Sequence, residues 1–319
     1  MKVFIAGGAG FIGSHFVDHF MNSTDATVTV FDNFTSGQMW HLKAHEGSSR
    51  LRVARGDLKE REQIVEASAG HNIVYHFASN PDIAKAMAHP DVDFWEGTYL
   101  TQNLLEAIRI NKIPALVYAS GSGVYGDTGE KSVTEDYSPM LPISPYGASK
   151  LSCEAMIHAY CHMFGLTAHV FRFANVVGPR QTHGVGFDFV RRLQNDPSWL
   201  RILGDGTQSK SYIHVSDIVA GIQHFAARDR EKFNYYHLAT GDYITVNEIA
   251  DLACEIMGIS NVRYEYSGGN RGWSGDVPIV RFDLSKTHAR GWDAKFGTRE
   301  ALRRSILAML DEIGFKRQA

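Results

Sequence analysis

Three glycines spaced by three, in Gly7-Gly8-Ala9-Gly10-Phe11-Ile12-Gly13, directly follow the short apolar run Lys2 to Ala6 and restrict this chain more than any other feature. Apolar residues then recur at helical spacing through Phe16, Val17 and Phe20, so the segment predicts strand, tight turn, helix. Glycine at these places lets the backbone turn sharply, approach a pyrophosphate closely and pack helix against strand, while the helix N-terminus offers unpaired amides to an anion. Gly7, Gly10, Phe11, Ile12 and Gly13 form the expected cradle. A glycine triplet alone is weak evidence. Its complement is a second apolar run, Thr27 to Phe31, which ends on Asp32. A carboxylate there accepts hydrogen bonds from ribose hydroxyls and repels a 2′-phosphate, which favours NAD over NADP.

Further strand-like runs at Leu51 to Ala54, Ile73 to Phe77, Leu116 to Ala119 and His169 to Phe173 alternate with helical patterns near 60 to 68, 91 to 111 and 145 to 164. Alternation of this kind predicts an α/β fold with a doubly wound parallel sheet. After Phe173 come Gly/Pro-marked loops at 178 to 186 and 204 to 211, a helix near 215 to 227, a strand near 235 to 239 and a helix near 245 to 257. The expected division is a dinucleotide-binding domain over 1–175, with a return segment near 211–240, and a smaller α/β substrate lobe over 176–319. The chain is expected to cross between the two more than once.

With 319 residues, 44% of them apolar, the chain can bury a large core and a second smaller one. A net charge of −3 gives no reason to invoke nucleic acid or an anionic membrane. No apolar stretch is long enough to span a bilayer, and the glycine turn stands where a signal peptide would carry its apolar region. Cys153, Cys161 and Cys254 are odd in number and lack metal-type spacing, which suits a reducing cytoplasm. His41/His45 and His158/His162 have helical spacing but no third ligand, so no metal site is expected.

Tyr146 and Lys150, in Ser144-Pro145-Tyr146-Gly147-Ala148-Ser149-Lys150, share one face if the segment is helical. A phenol ionises near pH 10, so half-ionising one at pH 7 takes about 4 kcal/mol of phenolate stabilisation. A lysine ammonium one turn away and a cationic nicotinamide ring can supply it.

With the glycine turn, Asp32 and Tyr146/Lys150 in this order, the sequence resembles the extended short-chain dehydrogenase/reductases of the nucleotide-sugar epimerase and dehydratase group, across essentially its whole length. The resemblance implies a Rossmann-type sheet and NAD. It places Asn33, Ser36 and Gly37 on the adenosine side, Asp57 and Leu58 of Gly56-Asp57-Leu58 by the adenine, and Phe77, Ala78 and Ser79 along the cofactor. Ala119, Phe173, Tyr146 and Lys150 complete the implied cofactor set. On the substrate side it implies that Asn175, with Arg180 in Asn175-Val176-Val177-Gly178-Pro179-Arg180, holds the sugar-nucleotide diphosphate, that Gly204 lies beside the base, that Lys210 faces phosphate, and that Arg271 with Asp276 clamps nucleotide and ribose. The helices near 91 to 111 and 145 to 164 resemble the pair that dimerises relatives. Their apolar stripes, Leu104, Leu105 and Ile108 on one and Met156 and Tyr160 on the other, fit a homodimer interface or a core equally.

Three departures stand against this pattern. Gly121 occupies the place, three before Val124, of the Ser or Thr expected to hydrogen-bond the reacting hydroxyl, and Ser120 and Ser122 flank it as alternative catalytic hydroxyls. Gly97 falls where a cofactor-side asparagine is expected, and Trp273 where the late clamp usually has its arginine, with Arg271 two residues away. For the reaction, 4,6-dehydratases of the group need an Asp-Glu pair just before Val124, decarboxylases a glutamate, and the 3,5-epimerase/reductases a cysteine in this segment. This chain has Ser122-Gly123 there and no cysteine before Cys153. What the resemblance leaves is an isomerase: Tyr146 takes the sugar 4-hydroxyl proton, hydride leaves C4 for NAD, and hydride returns on the other face. The expected substrate is a UDP-glucose/galactose-like nucleotide sugar or the uronic acid equivalent. The alternatives are an NAD(P)H-dependent 4-keto nucleotide-sugar reductase, and a non-catalytic dinucleotide sensor.

Overall fold

The computed structural model describes residues 1–315. One compact unit comprises Met1–Val124, Pro145–Arg172 and Ile222–Tyr236; the other takes Tyr125–Ser144, Phe173–Gly221 and the chain from His237 onward.

The first unit is built on strands β1 (Lys2–Ala6), β2 (Thr27–Asp32), β3 (Leu51–Arg55), β4 (Ile73–His76) and β5 (Ala115–Gly121). Between them run helices α1 (Phe11–Ser23), α2 (Arg61–Ser68) and α3 (Tyr99–Ile110), and α4 (Pro145–Phe164) follows. A seven-stranded sheet has the order Phe233–Leu238, Thr167–Phe173, β5, β4, β1, β2, β3. The pairs β1–β2, β1–β4, β2–β3 and β4–β5 are parallel. After its first residue β1 is buried throughout, as a strand covered on both faces must be, whereas the edge strand β3 carries Arg52 and Arg55 and no buried residue. Strand order reverses between β2 and β4 on either side of β1, and ligands of open α/β sheets bind at such a switch, beyond the carboxyl ends of the strands.

Leu104, Leu105 and Ile108 of α3 lie in the core of this unit, at most 2% exposed, and Met156 and Tyr160 of α4 pack partly buried against it. The stripe is therefore core. Its energetic reason is elementary, since full burial of each such side chain is worth about 1.5–3 kcal/mol. A π-helical turn, Phe94–Thr98, leads into α3.

In the second unit, helices Val185–Asn195, Val246–Met257 and Thr298–Glu312 pack around Leu193, Ile249, Ala253, Leu302 and Ile306. The loop expected over 178 to 186 ends at Gly184, whose φ of +102° starts the first of these helices, and Thr298–Glu312 was not foreseen. Within 204 to 211, Ser209–Lys210 pairs antiparallel with Ile244–Thr245. No helix among the described residues is long and apolar enough to cross a membrane.

Candidate active site

The glycine turn is shaped by contacts with its own protein at two of its three positions. Gly7 has φ +78°, and a Cβ there would lie 2.6 Å from the Ala78 nitrogen; one on Gly13 would lie 2.2 Å from the Gly7 carbonyl oxygen. Those glycines let α1 and the segment after β4 close on the turn. Gly10 differs. A Cβ there would approach only the Gly7 oxygen, at 3.2 Å, and as N-cap of α1 it provides no side-chain cap. With no acidic residue in the first turn, the helix start at Phe11 and Ile12 is suited to an anionic pyrophosphate.

Asp32 ends β2, 8% exposed. Its two carboxylate oxygens accept the Ala9 and Phe34 amides at 3.0 and 2.8 Å, and burial raises its pKa against those bonds. Each oxygen keeps a second lone pair for a ribose hydroxyl. Gly37 is required beside it, since a Cβ would fall 2.7 Å from Asp32 Oδ1. Asn33 donates to Asp57 Oδ2 at 3.2 Å, Leu58 is buried, and Ser36 is exposed. Phe77 and Ala78 both donate their amides to the Ala6 carbonyl, which fixes Phe77-Ala78-Ser79 against the end of β1. A cradle open at Gly10, an uncapped helix start and a carboxylate at the end of β2 fit a dinucleotide.

Helix α4 presents Tyr146 and Lys150 one turn apart. Lys150, 7% exposed, donates to the Ala119 carbonyl at 2.9 Å, and its ammonium lies 5.5 Å from the Tyr146 ring centre and 5.0 Å from that of Tyr118. Tyr146 is half-buried. Ser120 and Ser122 are not equivalent. Ser120 is buried and donates inward to Glu154 Oε1 at 2.5 Å, which commits its one proton to a carboxylate. Ser122, half-buried, begins a one-turn helix after β5. A Cβ on Gly121 would meet nothing within 4 Å.

The departure at Gly97 has a local cause. A Cβ there would lie 2.4 Å from Ser149 Oγ, which bonds Thr98 Oγ1 at 2.9 Å, so Ser149 fills the space a longer residue at 97 would need. Nearby, Asn80 donates to buried Asp93 at 2.9 Å. Burial raises the Asp93 pKa against that bond, and its Oδ2 is buried without a partner. His76 bonds Thr101 through Nε2 at 3.0 Å, and complete burial pulls its pKa down to about 3.

In the second unit, Lys210 donates to Asp276 Oδ1 at 2.5 Å and Arg271 to the Asp276 carbonyl at 2.6 Å; Arg271 also pairs with Asp127. Gly204, at φ +80°, belongs to the same cluster, since its Cβ would lie 3.1 Å from the Arg271 carbonyl. The Trp273 ring covers Gly275, where a Cβ would come within 2.4 Å of it. Asn175 is exposed and donates to the Ser211 carbonyl at 3.2 Å, while the Arg180 amide, at φ +65°, donates to Glu312 at 2.8 Å. Phe173 is buried at the end of its strand. The structure thus joins Gly204, Lys210, Arg271 and Asp276. The sequence reading missed Asp127, Asp93, Glu154 and Arg172. Only Glu154 carried a signal, as the third member of the i, i+4, i+8 series after Tyr146 and Lys150.

The family profile described as NAD dependent epimerase/dehydratase family matches residues 3–239. A protein of Methanocaldococcus jannaschii named as a putative UDP-glucose 4-epimerase is 28% identical over 309 residues, covering 95% of this chain and 97% of the relative. A crystal structure of a UDP-galactose 4-epimerase superposes with a TM-score of 0.85 at 32% identity, over 98% of this chain and 100% of that one. A dTDP-glucose 4,6-dehydratase from Streptomyces venezuelae, with NAD bound, does so with a TM-score of 0.89 at 27% identity, over 99% and 98%. The glycine cradle, the buried Asp32 and these likenesses agree: the chain belongs to the NAD-dependent epimerase/dehydratase family, and its cofactor is NAD.

Proposed function

We propose that the protein inverts C4 of a nucleotide-diphosphate sugar, a UDP-hexose or the matching uronic acid, through a transient 4-ketone. The observation that carries this reading is the face of α4 that presents Tyr146 and the buried, β5-anchored Lys150, next to a segment that reads Ser122-Gly123 where a dehydratase needs an acid pair. The epimerase names of two of the relatives above support it.

NAD, when bound, supplies one carbon that accepts and returns hydride. Tyr146 as phenolate takes the 4-hydroxyl proton and later gives it back. Lys150 holds positive charge beside the phenol and is itself fixed by the Ala119 carbonyl, which keeps its aim constant. Ser122 is the remaining hydroxyl for a hydrogen bond to the sugar oxygen. Asn175, Arg180, Lys210 and Arg271 are assigned to the diphosphate of the nucleotide sugar, Gly204 to the side of its base, and Asp276 to its ribose. For the cations this means exchanging Asp276 and Asp127 for phosphate oxygens of the same charge. Asp32, Asn33, Ser36, Gly37, Asp57, Leu58, Phe77, Ala78, Ser79, Ala119 and Phe173 are assigned to the cofactor with the glycine turn. We further assign the NAD side to 1–175 plus the return segment and the sugar side mainly to 176–319, in a cytoplasmic homodimer. Exposed Phe94, Trp95, Met163 and Phe164, on or beside α3 and α4, are the apolar surface for that pairing.

The test incubates purified protein, with no cofactor added, with nucleotide hexoses, pentoses and hexuronic acids in D₂O and follows C4 stereochemistry by NMR. C4 inversion without deuterium at C4 is expected. Deuterium at C3 or C5 would indicate carbanion epimerisation, and turnover only with added NAD(P)H would indicate a reductase.

A further inference from the structure

One turn beyond Lys150 on α4 begins a buried polar network that the proposed chemistry does not use. Glu154 follows Lys150 by one turn and Tyr146 by two, so all three share one helix face. Glu154 Oε1 accepts Ser120 Oγ at 2.5 Å and Arg172 Nε at 3.0 Å, while its Oε2 accepts Arg172 Nη2 at 2.6 Å. Ser120, Glu154 and Arg172 are 5%, 4% and 3% exposed. Removing two charges from water this completely is costly, and a neutralising pair with its hydrogen bonds filled is the arrangement that makes it tolerable.

The consequence is geometric. Helix α4 grips consecutive residues of β5 by two rungs, Lys150 on the Ala119 carbonyl and Glu154 on the Ser120 hydroxyl. Beyond these rungs Gly121 has no side chain and a Cβ there would touch nothing, so Ser120 is the last side-chain anchor of β5 before half-buried Ser122; the next fully buried side chain is Val124. The position of Ser122 relative to Tyr146 therefore depends on the Ser120 anchor. Arg172 has a second effect, because it neutralises a carboxylate that would otherwise compete for the Lys150 ammonium one turn away.

We propose that Glu154 and Arg172 are positioning residues that fix the Gly121-Ser122 segment against Tyr146 through the Ser120 hydroxyl. This rests on the reading of Tyr146 and Ser122 given above.

Two readouts test it. Hydrogen-deuterium exchange of the peptide spanning 119–124 is measured in the protein as purified, in Ser120→Ala and in the volume-keeping double variant Glu154→Met/Arg172→Met. C4-inversion kinetics are measured in parallel. Exchange at 121–123 is expected to quicken at least tenfold in both variants. A fall in kcat of roughly tenfold or more should accompany it, with KM for the nucleotide sugar within about twofold. Combining all three substitutions should add little, because one anchor is being removed twice. Unchanged exchange in Ser120→Ala, which keeps the ion pair and so the fold, would overturn the proposal even if the double variant does not fold. A loss in Ser120→Ala that the double variant fails to reproduce would also overturn it, since Ser120 would then act chemically. If the unmodified protein inverts no nucleotide sugar, the functional reading fails, whereas the exchange result decides the anchor by itself.

Discussion

The face of α4 and the cationic cluster of the second unit are each built from a few charged side chains, but they are held differently. On α4, Lys150 is bonded to a main-chain carbonyl and Glu154 to Arg172 and Ser120, all at most 7% exposed. In the cluster, Lys210 and Arg271 retain 23% and 33% side-chain exposure and hold carboxylates that a diphosphate could replace. Buried partners fix geometry, which proton transfer needs. Cations left partly open to solvent can exchange partners, which binding and release of a charged ligand need.

The largest expected effect breaks the first region at its chemistry: Tyr146→Phe should lower kcat by ~10²- to 10⁴-fold with the fold intact, as measured by NMR of C4 inversion. Full activity would end its assignment. Acid should act next, on the sheet of the first unit through His76 of β4. The folded state holds His76 neutral down to about pH 3, while the unfolded chain protonates it from 6.5 downward, so the unfolded state binds the extra proton in that window. Stability should fall as pH falls, by about 1.4 kcal/mol per unit from this residue, and urea titrations of His76→Gln should lack that slope. Gly13→Ala, which drives a methyl against the Gly7 carbonyl, should cost about 1–3 kcal/mol and reduce the NAD that purifies with the protein. In the cluster, Lys210→Met should raise KM roughly tenfold, in a salt-dependent manner, yet change stability by no more than about 1 kcal/mol. The smallest effect is Gly121→Ser: with open space around its Cβ, stability should move by less than about 0.5 kcal/mol. A rise in kcat would place a hydroxyl there at the reacting oxygen.

The order of elements through β5 was legible because the strands are short apolar runs and the helices between them repeat apolar residues at helical spacing. The cradle was legible because glycine is demanded by backbone geometry, which leaves its mark on residue type. Val185–Asn195 was missed because a positive-φ glycine that starts a helix looks the same in sequence as one that makes a loop. Ser120 and Ser122 could not be told apart, since which hydroxyl turns inward depends on Glu154 and Arg172, 34 and 52 residues further on. The Leu104/Leu105/Ile108 stripe fitted an interface and a core equally, and only packing placed it in the core.

The sequence alone thus determined the backbone-encoded part of this protein: the parallel sheet, the glycine turn, the acid at the end of β2 and the Tyr146/Lys150 spacing. These follow from steric and periodic constraints acting over a few residues. Only the tertiary structure decided which charges are paired, which serine is taken, and why Gly97 stands beside Ser149. Those outcomes depend on side chains distant in sequence that meet only after the sheet has formed, and burial then sets a high cost on leaving any of them without a partner.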